Sequence, residues 1–359
     1  MKIAFLGDIA FLGQFDKSKN SDVEKKLLFL KEELEKYDYV IANLESPLTN
    51  RNSTLVCKSM HLKADICNVE LLKYLNISAV SLANNHIADY GKRGLQETIE
   101  VLDKAGIQWF GIGDKSLEVC VKEEKVNISG FCCYSTNGTH YGGKAGINLL
   151  TSEKLEEQLE KNDRDGAFSI VSIHWGMEHT NYPAYEHLAL ARTMLKKHTA
   201  VICGHHPHIV QGMEKIGSSF AAYSLGNAVF DTCISKNGKL KVELNENNRK
   251  CFILGITVEK GQIVEYTTTG FYIGVHGIEG YDIENHLKSI SEKLEHIEDV
   301  AQYEAMRKEQ FQKVIQDKFG KHDLKWLLSR MNYYAIGARV TAMVRGKKYK
   351  KEVEKFING

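Results

Sequence analysis

The sequence predicts an α/β fold built on a mostly parallel sheet. Three observations lead there. Short apolar runs of five or six residues recur through the first two thirds of the chain, segments of helical pattern separate them, and each run ends in polar side chains suited to ligand chemistry. Strands that alternate with helices form βαβ units, whose parallel strands align their carboxyl ends along one edge. In open α/β sheets that edge is where ligands bind.

In chain order, Lys2–Leu6 runs into Gly7 and Asp8, and Asp38–Ala42 runs into Asn43, Leu44 and Glu45. Ser78–Ala83 runs into Asn84, Asn85 and His86, with Asp89 following, and Phe168–Ile173 runs into His174, Trp175, Gly176, Met177, Glu178 and His179. Thr199–Cys203 runs into Gly204-His205-His206-Pro207-His208. Helical patterns fit 22–36, 92–105, 151–163 and 185–198 between these strands. Phe220–Tyr223 is a further strand, followed by the loop Ser224-Leu225-Gly226-Asn227, which reads as structural because Gly226 marks special backbone geometry. Segments 251–258 and 262–269, joined by Glu259-Lys260-Gly261, form a β-hairpin. Beyond residue 281 the chain becomes charge-rich and helical, over 283–319 and again over 324–357, where Trp326, Leu327, Leu328, Met331 and Ile336 supply apolar positions. The expected division is therefore 1–280 and a helical extension, 281–359.

Three histidines in five residues are the most informative feature. His206 and His208 stand two apart, which in extended backbone aims both rings to one side. Neutral imidazole is a common metal ligand. The strand ends together would bring Asp8, Glu45, Asn85, His86, His174, His206 and His208 to one cleft. That mixed nitrogen and oxygen set suits Mn, Fe, Zn, Co or Ni and argues against an all-oxygen Ca or Mg cage.

Six blocks occur in order: Gly7-Asp8; Asn43-Leu44-Glu45-Ser46-Pro47-Leu48-Thr49; Leu82-Ala83-Asn84-Asn85-His86 with Asp89 and Gly91; His174-Trp175-Gly176 with Glu178; Gly204-His205-His206-Pro207-His208; and Tyr223-Ser224-Leu225-Gly226-Asn227 with Phe230-Asp231. Over roughly residues 1–275 the chain resembles the CapA family, associated with poly-γ-glutamate capsule biosynthesis and related to the calcineurin-like metallophosphoesterases. The resemblance implies a four-layer αββα sandwich with a metal site at the strand ends, here with a C-terminal helical extension. It also implies ligand roles for Asp8, Glu45, Asn85 and His174, and for two of His205, His206 and His208, the pair with the x-spacing being favoured. Metallophosphoesterases open with Asp-x-His, whereas Ala10 stands in the histidine position, and Glu45 is the nearest equivalent of the bridging aspartate. One or two divalent transition-metal ions (Mn, Fe or Zn) are the implied cofactor.

In that scheme His86 protonates the leaving group or stabilises developing charge. Asp89 and Glu178, grouped with it as catalytic, are placed to hydrogen-bond ligand imidazoles. Trp175 is core or pocket wall. Two function classes follow. One is a metal-dependent hydrolase acting on a phosphoester or a γ-glutamyl polymer. The other is a non-catalytic, polymer-binding accessory of capsule synthesis or export, which Ala10 favours.

The composition fits a globular enzyme: 43% hydrophobic and 26% charged residues across 359 positions. A net charge of +1 hides a split, since Lys321–Gly359 holds ten Lys/Arg against three Asp/Glu and leaves the rest at −6. An acidic core without a basic stripe disfavours nucleic acid as a partner. The basic tail has two readings, a solvated helix packed on the core and a surface for anionic lipid or polymer, at about 1 kcal/mol per basic residue near a membrane. The first is preferred because Gly337 and Gly346 interrupt an interfacial helix. The apolar run Ala335–Val344, ahead of the basic cluster Arg345-Gly346-Lys347-Lys348-Tyr349-Lys350-Lys351, is too short and too interrupted by Arg339 to span a bilayer. The first strand begins at once, with no leader pattern ahead of it, and eight cysteines show no C-x-x-C pair, so buried reduced thiols are expected. The expected location is cytoplasmic, with peripheral contact at the inner membrane face as the tail's second reading.

Overall fold

The computed structural model describes residues 1–235, 238, 241–295, 297–319 and 333–358, with the side chains of 315 and 317–319 left aside. The apolar runs become strands buried on both faces, and their alternation sorts the two cores. β1 (Lys2–Ile9), β2 (Tyr39–Leu44), β3 (Ala79–Ser81) and β4 (Gln108–Phe110) are parallel neighbours in one sheet. Between them lie α1 (Val23–Lys26), α2 (Leu28–Leu34), α3 (Val69–Tyr74) and α4 (Gly91–Ala105). Ile3, Phe5, Tyr39 and Ile41 enter a core shared with the second sheet, while Ala4, Leu6, Val40 and Ala42 enter one shared with Leu30, Leu34, Leu72, Leu95 and Leu102 of these helices. Successive strand residues face opposite sides, so a continuous apolar run is what a doubly covered strand requires.

The second sheet runs β5 (Leu117–Val121), β6 (Glu124–Cys132), β7 (Phe168–His174), β8 (Ala200–His205), then β10 (Ser219–Ala222) and, at its edge, β9 (Met213–Ile216). β6, β7, β8 and β10 are parallel, and the two edge strands antiparallel. α5 (Ser152–Arg164) and α6 (Tyr185–Lys197) cover this sheet, burying Leu155, Leu159, Leu188, Ala191 and Met194 in its core. Thr151 caps α5 by accepting from Lys154 N at 3.2 Å. The layers are thus helix, sheet, sheet, helix.

β11 (Asn227–Val229) pairs with β1, and β12 (Cys233–Ile234) with β13 (Lys241–Val242) makes a small ribbon. After α7 (Glu246–Arg249), β14 (Lys250–Glu259), β15 (Gln262–Ile273) and β16 (Ile278–Gly280) extend the first sheet as an antiparallel meander, with β14 paired to β1. The hairpin is four residues longer than expected on its second strand. Its turn is the two residues Lys260 and Gly261, both at positive φ (50° and 70°), the conformation matching the twist of paired strands.

α8 (Glu284–Glu295), α9 (Val300–Phe319) and the C-terminal helix (Tyr333–Asn358) follow. Of the second predicted helical stretch, Leu324, Trp326, Leu327, Leu328 and Met331 lie outside the described residues. The C-terminal helix runs through Gly337 and Gly346 unbroken, against the expectation that they would interrupt it. It packs on α5 and α6, burying Ala335 and Phe356, yet leaves Ile336, Val340, Met343 and Val344 exposed. Among the described residues no helix is long and apolar enough to cross a membrane.

Candidate metal centre

The carboxyl ends of β1, β2 and β3 meet those of β7 and β8 where the two sheets touch. Two close backbone approaches make this possible. A Cβ at Gly7 would stand 2.0 Å from Gly226 O, and one at Gly204 would stand 1.8 Å from Tyr223 O, so the Gly-Asp and Gly-His blocks need glycine for contact between strands. The ladder slips register beside Asp8 on both sides, a bulge that re-aims its side chain.

The acidic and histidine donors form two groups that share Glu45. Glu45, His174 and His206 bring ligand atoms within 4.8 Å of one another, and so do Asp8, Glu45 and His208. Asn85 adds its carbonyl oxygen to the first, 2.9 Å from His174 Nε2. Glu45 Oε1 lies 3.8 Å from His174 Nε2 and 3.6 Å from His208 Nε2. Glu45 is fully buried, and among the described residues neither of its oxygens has a hydrogen-bond partner. Leaving such a group unpaired costs about 1–3 kcal/mol, more if charged. A divalent cation between these donors satisfies it, so the residues present fit a metal.

His206 and His208 both sit at positive φ (99° and 57°), so the pair is not extended as its spacing had suggested. The turn sends the rings apart, centroids 6.0 Å from each other, and each joins a different donor group. His205 joins neither: it is the last residue of β8, with Nδ1 3.3 Å from Asp8 Oδ1. Ala10, where the resemblance would put a histidine ligand, lies in an apolar cluster with Leu62, Phe230 and Cys233.

Electrostatics favour a bound cation. Burial, then the neighbouring Asp8 carboxylate, raises the Glu45 carboxyl well above its usual range. Burial also works to raise Asp8, but His205 and His208 outweigh it and the carboxyl is lowered. Burial and the adjacent imidazoles lower His174 well below the ordinary histidine value, and burial takes His206 down to about 3. Neutral imidazoles are what a metal requires.

His86 stands beside the centre, on the loop after β3. Its Nδ1 is 2.6 Å from Asp89 Oδ2, which leaves Nε2 as the ring's free nitrogen. Asp89, placed in expectation against a ligand imidazole, instead holds His86 and accepts from Leu62 N at 2.7 Å. Glu178 lines the cleft with its carboxylate 3.6 Å from His179 Nε2, and among the described residues it pairs with none of the ligand histidines. Burial works to raise the Glu178 carboxyl, and His206, His179 and His208 bring it down to about 2.

Sequence reasoning missed three participants. Lys58, buried, donates to Asp89 Oδ1 (2.7 Å) and Asn85 O (2.8 Å) and lies 3.0 Å from His86 Nδ1. Asn43 donates to Asp8 Oδ1 at 2.8 Å, and Asn227 Oδ1 is 3.0 Å from His208 Nδ1, turning its Nε2 toward Glu45. Only Asn43 and Asn227 had a signal, since both fall in quoted blocks. Trp175 is core, as expected, its Nε1 donating to Tyr223 O at 3.0 Å.

A cleft of about 230 Å³ opens over the centre, touched by Asn85, His86, Glu178 and His208. Its apolar side is Leu62, Phe230, Val242 and Leu244, and its far wall includes Ala338, Thr341 and Arg345 of the C-terminal helix.

Among solved structures, a 5'-nucleotidase from Candida albicans superposes with a TM-score of 0.46 and 8% identity over 88% of this chain and 57% of that one. A 5'-nucleotidase precursor from Thermus thermophilus gives 0.44 and 16% over 75% and 54%. The "PGA biosynthesis protein CapA" of Bacillus subtilis is 27% identical over 241 residues, 64% of this chain and 63% of that protein. The "Capsule biosynthesis protein CapA" of Bacillus anthracis is 31% identical over 214 residues, 55% and 52%. A "Probable polyglutamine synthesis accessory protein" of Mycobacterium tuberculosis is 28% identical over 216 residues, 54% and 56%. The chain thus spans between half and two thirds of these relatives' lengths. The profile described as "Bacterial capsule synthesis protein PGA_cap" matches residues 2–232, and the chain belongs to that family.

Proposed function

We propose that the protein is a metal-dependent hydrolase of the metallophosphoesterase type that acts in capsule or poly-γ-glutamate metabolism, on a phosphoester or a γ-glutamyl amide. The observation that carries this is the pair of donor groups sharing Glu45, whose two buried oxygens have no hydrogen-bond partner among the described residues. Asp8, Glu45 and His208 would hold one divalent cation, and Glu45, Asn85, His174 and His206 the other. Such cations acidify a water and polarise a phosphoryl or carbonyl oxygen.

The chain's own residues do the rest. Asp89 fixes the His86 ring through Nδ1, and Lys58 balances the Asp89 charge, so that Nε2 is the atom offered to a leaving group. A positioned proton donor contributes about 10²–10⁴-fold. The apolar side of the cleft limits water around the reacting bond. The relatives' names support the capsule setting. Ala10, in an apolar cluster where an imidazole would complete the Asp8 group, favours the second reading, an accessory that binds polymer without turnover.

The test is hydrolysis of bis-p-nitrophenyl phosphate and of γ-glutamyl oligomers by Mn-loaded wild type, His86→Ala and His174→Ala. Expected is a loss of at least 10²-fold in His86→Ala with metal content retained, and loss of metal in His174→Ala. Metal binding without turnover of either substrate class would leave the accessory reading in place.

A further inference from the structure

We infer that Arg345, on the C-terminal helix, forms an anion subsite for a second acidic group of the substrate, away from the metal centre. The inference rests on the cleft being the substrate site, but adds a residue beyond the segment matched by the family profile, 2–232.

Three observations carry it. First, the helix is fastened to the loops that frame the cleft. Tyr334 OH donates to Thr54 O at 3.0 Å, the Tyr334 ring meets His61 edge-on at 5.5 Å, and a Cβ at Gly337 would stand 2.5 Å from Cys57 Sγ. Arg345 itself donates to Thr136 O, and to Asn137 Oδ1 at 2.7 Å. The far wall is therefore held in register with the centre.

Second, Arg345 is half-buried and has no carboxylate within 4.0 Å among the described residues. Arg192 and Arg307 are instead each paired at 2.6 Å, with Glu214 and Glu304. The cleft's own acids are engaged elsewhere. Asp231 accepts from Gln14 N and Thr232 N, Glu243 pairs with Lys241, and Glu178 faces His179. Arg345 has five N–H donors, and its acceptors among the described residues, Thr136 O and Asn137 Oδ1, are uncharged. A partly desolvated cation without a counter-ion is costly to keep, and an incoming anion relieves that cost.

Third, the other cation lining the cleft among the described residues is not available. Lys58 is taken up by Asp89, Asn85 O and His86. A guanidinium fork also matches carboxylate and phosphate in two-point geometry, which an ammonium does not. The substrate class this implies carries the hydrolysable group at the metal centre and a further carboxylate or phosphate across the cleft. A singly charged ester would use only half of the site.

Calorimetric titration of the Mn-loaded full chain tests this with two probe pairs. The carboxylate pair is a γ-glutamyl tetramer and its α-amidated counterpart. The phosphate pair is 1,3-propanediol bisphosphate and propyl phosphate. Wild type is expected to prefer the more charged member of one pair by at least 10-fold, and that pair identifies the source of the anion. Arg345→Gln should abolish the preference, Arg345→Lys should restore part of it, and Arg339→Gln, exposed on the helix's outer side, should leave it intact. Mn stoichiometry and melting temperature, measured alongside, should not move. No preference in wild type for either pair, or a preference that survives Arg345→Gln, overturns the subsite. Loss of Mn binding in wild type would count instead against the hydrolase reading.

Discussion

Replacing Glu45 with glutamine tests the metal centre at its narrowest point. Glu45 is the one residue common to both donor groups, so the change removes a charged ligand from each. A cation present at about 100 times its Kd stabilises the native state by about 2.7 kcal/mol. Unfolding entropy is about 2.1 cal/mol/K per residue, which over 359 residues comes to about 0.75 kcal/mol/K. The expected rise in Tm for wild type at about 100 μM Mn or Zn is then about 3–4 °C for one ion bound at micromolar Kd. In Glu45→Gln it should fall below about 1 °C, a level that reflects loss of binding rather than of fold. The metal-free variant should melt at or above wild type, because a carboxyl raised by burial and then by Asp8 is exchanged for a neutral amide. Differential scanning fluorimetry with and without metal, after chelation, reads both numbers. A variant that keeps the full metal shift refutes the ligand assignment. One that melts far below wild type without metal shows that Glu45 serves the fold instead.

Lys58→Met removes one partner of a buried ion pair and should cost about 3–5 kcal/mol, read by urea denaturation. A loss under about 1 kcal/mol would mean that Asp89 is satisfied without it. Burial pushes the Cys132 thiol up to about 11 and Cys133 up to about 12. At pH 8 their thiolate fraction is therefore about one in a thousand or less, so Ellman's reagent should react first with exposed Cys120 and reach these two only on unfolding. Fast native labelling at Cys132 or Cys133 would contradict that burial. The outer face of the C-terminal helix exposes Ile336, Val340, Met343 and Val344, and Tyr333–Lys351 holds six basic residues and no acidic one. Vesicles containing about a third phosphatidylglycerol should therefore sediment the protein, and neutral vesicles should not. Equal recovery with both, or with neither, removes the membrane reading of the tail.

The sequence shows the parts of this fold that are buried on both sides. β1, β2 and β8 open on apolar runs, β7 keeps Phe168, Ile170, Val171 and Ile173 around two serines, and their ends carry Asp8, Glu45, His174 and the histidine cluster. β6 was not legible because buried Asn127 and Ser129 break its apolar pattern, their polar groups reaching Ser116, Gln158 and the backbone of Ile170. β4 has three residues, too few for any period to register. In the site, residue types were readable and backbone geometry was not. The H-x-H spacing picks out His206 and His208, but nothing local announces that both take positive φ and so serve different donor groups. Lys58 was invisible for another reason, since it lies in an irregular loop. Arg345 belongs to the basic tail that was weighed as a surface for anionic lipid or polymer, but its place at the cleft was not readable, because only tertiary packing brings it and Lys58 there.

Because a single carboxylate belongs to both donor groups, occupancy of the two positions of the proposed centre would not be independent. The first cation to arrive would draw on the charge that the second needs, so the second would bind more weakly, a negative cooperativity of electrostatic origin. Linkage makes the penalty the same whichever position fills first. The Asn85-bearing position, with four protein donors, would fill ahead of the one bordered by Ala10. Across a range of cation concentrations the protein would then hold a graded population of singly and doubly loaded forms, and free metal in its surroundings would set the proportion that is fully assembled.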